Sequence, residues 1–142
     1  MLDQPLDETL GFIITRTSMR YKNELGRRLK PCDVTPEQWV ALYRLGEQDG
    51  LTQKELADRI FKDQPNTTRI LDKLEQKGLI SRSDSPADRR ALHIHLTDAG
   101  RRLLERLMAI SRQVREDACR GISERELASL KGTLNKVWSN LE

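Results

Sequence analysis

Two pairs of cations, Arg69 with Lys73 and Arg89 with Arg90, carry the chemistry that stands out in this sequence. Arg69 and Lys73 are four residues apart, so on a helix they lie on adjoining parts of one face. A guanidinium there can fork onto a guanine edge, and either cation can grip a phosphate. Arg89 and Arg90 follow a run of turn formers, Ser83, Asp84, Ser85, Pro86 and Asp88, which places them at the return edge of a hairpin tip. A basic tip of this kind suits the narrow, electronegative minor groove of A·T-rich duplex DNA. Catalytic patterns are missing: there is no Gly-rich phosphate loop, nucleophile elbow or metal-ligand cluster. His93 and His95 share a strand face but lack the third and fourth ligands of a metal site. The expectation is therefore a binding protein and not an enzyme, with no cofactor and no metal.

Such cations are useful only on a rigid frame, and the local grammar supplies one. Asp63 caps a helix that tolerates Pro65 in its first turn and is closed by Gly78. Thr67, Ile70, Leu71 and Leu74 mark its inner face, so Pro65, Arg69, Asp72 and Gln76 point outward, flanked by Thr68 and Lys73. Asp72 is the acidic exception on that face and is expected to pair with Lys73 or Arg69 instead of touching DNA. Ahead of it, Thr52-Gln53-Lys54-Glu55 is a capping box with Leu51 and Leu56 as its hydrophobic staple, and Leu56, Ala57 and Ile60 give that short helix a buried face. Two helices joined by Lys62-Asp63 make a helix-turn-helix. Leu79 to Arg82 reads as a strand, partnered by Ala91 to Leu96, where Leu92, Ile94 and Leu96 alternate with Ala91, His93 and His95. The helix-turn-helix and its hairpin together form a winged DNA reader.

The flanking segments are helical. Leu6 to about Leu29 spaces Leu10, Ile14, Tyr21, Leu25 and Leu29 on one stripe, broadened by Phe12, Ile13 and Met19, and ends at Pro31. Thr35-Pro36-Glu37-Gln38 is a capping box with Val34 and Trp39 as staple, opening a helix expected to reach Leu45 and stop at Gly46. Thr97 caps a long helix to about Ala118 with Leu103, Leu107, Ile110 and Val114 on one face. Ser123-Glu124-Arg125-Glu126 opens the last helix, where Leu127, Leu130, Leu134, Val137 and Leu141 recur at alternating spacings of three and four. The first and the last two helices are more apolar than so small a domain needs for itself. A homodimer is the expected consequence.

Composition narrows the class without naming it. The chain has 142 residues, a charged fraction of 33% and a net charge of +3, which fits one domain and a DNA binder but also many other proteins. No apolar run approaches membrane-spanning length, and the N-terminal residues are acidic where a signal peptide needs basic ones. Cys32 and Cys119, the two cysteines, suggest neither a disulfide framework nor a zinc motif, so the expected compartment is the reducing cytoplasm.

Taken in order, Thr68-Arg69, Asp72-Lys73-Leu74-Glu75, Gly78-Leu79-Ile80, Asp88-Arg89-Arg90 and Leu96-Thr97-Asp98-Ala99-Gly100 resemble the core of the MarR (multiple antibiotic resistance regulator) family, and the resemblance runs over essentially the whole chain. Thr67 departs from it, since the family more often has an apolar residue there. The resemblance implies a mainly α fold with a small β-wing, as one domain over residues 1–142. A winged helix-turn-helix lobe would occupy residues 34–96, and dimerisation helices residues 1–30 and 97–142. It implies operator binding by a triangular homodimer, usually repression, relieved by a small anionic or phenolic effector or by thiol oxidation. It assigns minor-groove insertion to Arg90, with Asp88 orienting it.

The candidate DNA-binding set is thus Gln64, Pro65, Asn66, Thr68, Arg69 and Lys73 on the reading helix, with Arg89 and Arg90 on the wing. The candidate dimer seam is Leu10, Ile14, Leu127, Leu130, Leu134, Val137 and Leu141. Trp39 and Tyr43, one turn apart, are either core or one wall of an effector pocket between the dimer helices and the reading lobe. Two alternatives stay open. One is a redox-sensing regulator acting through Cys32 or Cys119, although no histidine stands beside either in the sequence; the other is a winged-helix lobe that docks protein and not DNA.

Overall fold

The computed structural model describes residues 1–84 and 92–142. The expected wing-tip residues Ser85, Pro86, Asp88, Arg89, Arg90 and Ala91 lie outside the described residues. The elements are α1 (Leu10–Leu29), α2 (Pro36–Glu47), β1 (Leu51–Thr52), α3 (Gln53–Ile60), α4 (Gln64–Gln76), β2 (Ile80–Asp84), β3 (Leu92–Leu96), α5 (Asp98–Ala118) and α6 (Glu124–Asn140). The fold is mainly helical with a small antiparallel sheet of strand order β1-β3-β2.

The helix starts form where local chemistry places them. At α2, α3 and α6 the capping residues Thr35, Thr52 and Ser123 accept from the backbone N–H three residues on, while Gln38, Glu55 and Glu126 reach back to the capping N–H. These reciprocal bonds satisfy donors that a helix end would otherwise leave unpaired. The end of α4 is equally explicit. Gly78 takes φ 73 and donates to Glu75, and Leu79 donates to the Leu74 carbonyl, the paired bonds of a Schellman turn.

Several boundaries differ from expectation. The first helix begins at Leu10, after a separate turn over Leu6–Glu8, because Thr9 takes extended dihedrals and its hydroxyl bonds back to Leu6. Gly46 does not stop α2, which runs to Glu47. A Cβ there would meet Leu104 Cδ2 at 2.5 Å, so this glycine serves the close packing of α2 on α5. Leu104, and not Leu103, is the buried member of its pair on α5. Leu51-Thr52 forms a strand as well as a staple, with Leu51 opposite Ile94 and Thr52 opposite His93. The expected strand at Leu79 to Arg82 is instead Ile80–Asp84, since the Leu79 N–H and C=O are spent on Leu74 and Thr97. Leu92 is exposed, so only Ile94 and Leu96 of the alternating set reach the core.

That core joins Leu25, Leu29, Trp39, Leu42, Leu45, Leu51, Leu56, Leu71, Leu74, Ile80, Ile94, Leu107 and Val114 from every element except α6. None of the α6 residues is buried. No helix among the described residues is long and apolar enough to cross a membrane.

Thr97 and Gly100 hold the reading lobe to α5. The Thr97 hydroxyl donates to the Gly78 carbonyl at 2.6 Å and accepts from the Gly100 N–H at 3.1 Å. Its backbone N–H meanwhile donates to Leu79. A Cβ on residue 100 would sit 2.1 Å from the Leu79 carbonyl oxygen, a backbone atom with nowhere to move. Gly100→Ala is therefore expected to lose at least about 1–3 kcal/mol of stability. Thermal unfolding followed by circular dichroism checks this; an unchanged melting temperature would show that the two backbones can separate freely.

Candidate nucleic-acid interface

The reading face is a helix held from several sides so that its outer residues stay where they are. At its start, Asp63 accepts from the Asn66 N–H at 2.8 Å and from the Asn66 side-chain amide at 3.0 Å. Beneath, Thr67 is fully buried yet satisfied, its hydroxyl donating to the Asp63 carbonyl at 2.8 Å. The polar residue at this inner position thus costs the packing no unpaired group. From α3, the Gln53 amide donates to Thr68 Oγ1 at 2.6 Å and to Gln64 Oε1 at 3.1 Å, tying two of the candidate contact residues to the preceding helix. Gln64, Pro65, Arg69 and Lys73 are exposed, and Asn66 and Thr68 are half-buried.

Asp72 is paired, but not with Lys73 or Arg69 as expected. Its partner is Arg82 on β2, whose Nη2 lies 2.8 Å from Asp72 Oδ1 while its Nε approaches Glu75 Oε2 at 3.8 Å. The Arg82 side chain is only 18% exposed. It draws both acidic groups of this stretch of α4 to one side and fastens the base of the wing to the reading helix. Sequence reasoning missed this residue. The available signal was a charged side chain in phase with Ile80 on a short strand, facing acids at i and i+3 of the neighbouring helix.

Both histidines support the wing. His93 Nδ1 donates to the Gly50 carbonyl at 2.7 Å. His95 bridges Asp49 Oδ2 at 2.9 Å and Ser83 Oγ at 3.0 Å, joining the loop before α3 to the neighbouring wing strand. Burial would raise the Asp49 carboxyl pKa, but the hydrogen bond and charge of His95, the Leu96 N–H and Arg101 together bring it below its ordinary value. Among the described residues no group of three or more His, Cys, Asp or Glu is placed to hold a metal ion.

On the far side of the lobe α1, α2, the segment at the end of α3, and α6 line an open, mostly apolar cavity of about 680 Å³. Leu10, Ile14, Trp39, Ile60, Leu130 and Leu134 are among its apolar walls, and Lys22, Glu37 and Lys62 also line it. Lys22 lies 2.5 Å from Glu37. That hydrogen bond is the main reason the Glu37 carboxyl titrates below its usual range; Lys62 adds to the effect, and burial opposes it. Trp39 is where a pocket wall was expected, but Tyr43 is not. Its ring packs edge-on against Trp39, centroids 5.1 Å apart, outside the lining. Four residues expected in a dimer seam, Leu10, Ile14, Leu130 and Leu134, face this cavity in the single chain. Cys32 packs against the core and Cys119 is half-buried.

A family model described as "MarR family" matches residues 34–92, from just before α2 to the first residue of β3. A probable transcriptional regulator from Pseudomonas aeruginosa has 33% identity and a TM-score of 0.87, over 94% of this chain and 99% of that one. The transcriptional repressor CouR, solved bound to a 23-mer DNA duplex, has 30% identity and a TM-score of 0.88, over 96% of this chain and 97% of that one. This chain belongs to the MarR family. A third structure, CouR from Rhodococcus jostii RHA1 bound to p-coumaroyl-CoA, has 26% identity and a TM-score of 0.86, covering 95% of each chain.

As a MarR-family member the protein is a transcriptional regulator built on a winged-helix DNA-binding fold. Arg82 holds the Asp72 carboxylate beside the exposed face of α4. Without that cation the carboxylate would stand there unanswered and would repel an approaching phosphate. Arg82→Ala is expected to weaken binding to any duplex by about 1–3 kcal/mol, with Arg82→Ala/Asp72→Asn recovering part of the loss. Anisotropy titrations of the single and double variants decide it: no recovery in the double variant would mean that Arg82 acts through packing alone.

Proposed function

We propose that this regulator is a dimeric repressor that reads a palindromic operator and leaves it when a small effector occupies the apolar cavity. The observation that carries the reading is α4, whose exposed Arg69 and Lys73 stand on a helix immobilised by Asp63, Gln53 and Arg82. Gln64, Pro65, Asn66, Thr68, Arg69 and Lys73 would enter the major groove, with Arg69 as the base or phosphate contact. Arg89 and Arg90 would follow the backbone into the neighbouring minor groove, Arg90 inserting and Asp88 orienting it. In this reading residues 34–96 form the DNA-binding lobe, and residues 1–30 and 97–142 supply the dimer helices.

The effector side rests on the cavity. Its volume lies within the usual small-molecule range of roughly 300–1,000 Å³. Apolar walls together with an ion pair and a further lysine suit an aromatic acid or phenol, the ring against Trp39 and the anion toward Lys62. The aromatic acyl group of the ligand bound by the Rhodococcus jostii protein has the same apolar character.

Two experiments test this. Arg69→Ala is expected to lose about 1–3 kcal/mol of operator affinity with an unchanged melting temperature. The operator is first located by footprinting the DNA upstream of the protein's own coding sequence, and a variant that binds as the parent does would remove α4 from the reading role.

The second experiment concerns assembly. Within the single chain Leu134 is 40% exposed and Leu141 81% exposed, so an aspartate at 134 is compatible with the fold of one protomer. In a C₂ seam it would be buried without a partner and cost several kcal/mol of dimer stability. Leu134→Asp should therefore sediment as a folded monomer. It should also lose far more affinity for the full operator than for one half-site, because two linked reading helices sit about 34–36 Å apart on successive turns. A Leu134→Asp protein that remains a dimer would sink the proposed seam.

A further inference from the structure

We infer that Phe61 and Trp138 are positioning residues. Their stack sets the reading lobe against the last helix and passes the state of the cavity to α4, an inference that rests on the effector reading above. The rings meet edge to face, centroids 5.1 Å apart and planes at 73°, an arrangement favoured by the aromatic quadrupole. Neither residue is where its type would normally be found. Phe61 closes α3 with φ 58 and ψ 40, a left-handed conformation that a Cβ disfavours and that glycine or asparagine usually takes. It is 69% exposed, so the core does not hold it there. Trp138 is 59% exposed and belongs to a helix with no buried residue. The two rings meet, and their contact joins the turn between α3 and α4 to α6.

The two backbone segments that carry the stack are also walls of the cavity. Ile60 and Lys62 flank Phe61 and both line it, and Leu134 lines it one helical turn before Trp138. A molecule seated among Ile60, Lys62, Leu130 and Leu134 bears on both segments at once. Phe61 in turn stands two residues from Asp63, whose side chain caps α4. Separation of the rings therefore reaches the reading helix at its first turn. Packed aromatic contacts of this kind hold one setting or release it, which is how a small displacement becomes a change in lobe orientation.

The test uses the full-length protein, the operator duplex footprinted above and a duplex carrying one half-site. A positioning role affects binding that needs two lobes correctly set, and not the contact of one lobe with one half-site. Trp138→Ala is expected to bind the full operator about tenfold more weakly, to keep half-site affinity within about twofold, and to remain dimeric in sedimentation. Trp138→Phe, which keeps a ring, should bind as the wild type does. An unchanged full-site affinity, an equal loss on both duplexes, or a monomeric Trp138→Ala protein would each overturn the proposal.

The link to the cavity is tested without a ligand by filling it from α2. Val40→Trp is expected to weaken full-site binding several-fold in the wild-type background and to add nothing in the Trp138→Ala background. Losses that add in the double variant, or no effect of Val40→Trp alone, would show that the cavity does not act through the stack. A wild-type protein that prefers neither duplex would instead refute the two-site reading itself, and this proposal with it.

Discussion

Where Gly100 passes Leu79, the backbones of α5 and of the segment leading into the wing come so close that no side chain fits between them. The rest of the molecule is arranged around this junction. Leu79 receives the end of α4 through its N–H and the start of α5 through its carbonyl, while Thr97 holds both Gly78 and Gly100. Reading helix, wing and the long α5 are thus fixed to one another within a few residues. The two glycines have different reasons to be there: Gly78 supplies a left-handed turn, and Gly100 supplies the absence of a Cβ.

Electrostatics here positions groups more than it stabilises them. Surface ion pairs are individually worth about 0–1 kcal/mol. Their value lies in which charges they occupy. Arg82 occupies Asp72 and approaches Glu75, so the acidic groups of α4 are answered from the wing side. Arg28 joins α1 to α5 by bonding Glu24 at 2.8 Å and Asp117 at 2.7 Å. Hydrogen bonds from Arg27 and Arg28 bring the Glu24 carboxyl pKa down to about 2. The net charge of +3 is small because 22 acidic residues nearly balance the 25 basic ones, which is why composition spoke so weakly for a nucleic-acid partner.

The cavity and the proposed dimer seam share residues. Leu10, Ile14, Leu130 and Leu134 were read as a surface for a second copy, yet in the chain they bound a space beside Trp39. The two roles are compatible if α6, which buries nothing of its own, borders both. A helix so lightly held is the element whose position a ligand or a partner can change at least cost.

Much of this molecule was legible before any coordinates because the deciding interactions are short in sequence. Capping boxes at Thr35, Thr52 and Ser123 close over three residues, the Gly78 turn over six, and the inward phase of Thr67, Leu71 and Leu74 follows from the helical period alone. The starts of the helices from α2 to α6, the outward side of α4 and the family resemblance therefore stood in the sequence. What only the tertiary structure decided depends on residues brought together from afar. Leu51-Thr52 became a strand because Ile94 and His93 lie beside it, and Gly46 continued a helix because Leu104 packs on it. Asp72 found Arg82 and not a neighbour on its own helix, Tyr43 fell outside the cavity that Trp39 lines, and Phe61 met Trp138, which is 77 positions further along the chain. Local rules set which residues start, end and face out of each element. Which distant side chain answers which was settled only when the elements packed, since that pairing is a property of the space between them and not of either segment alone.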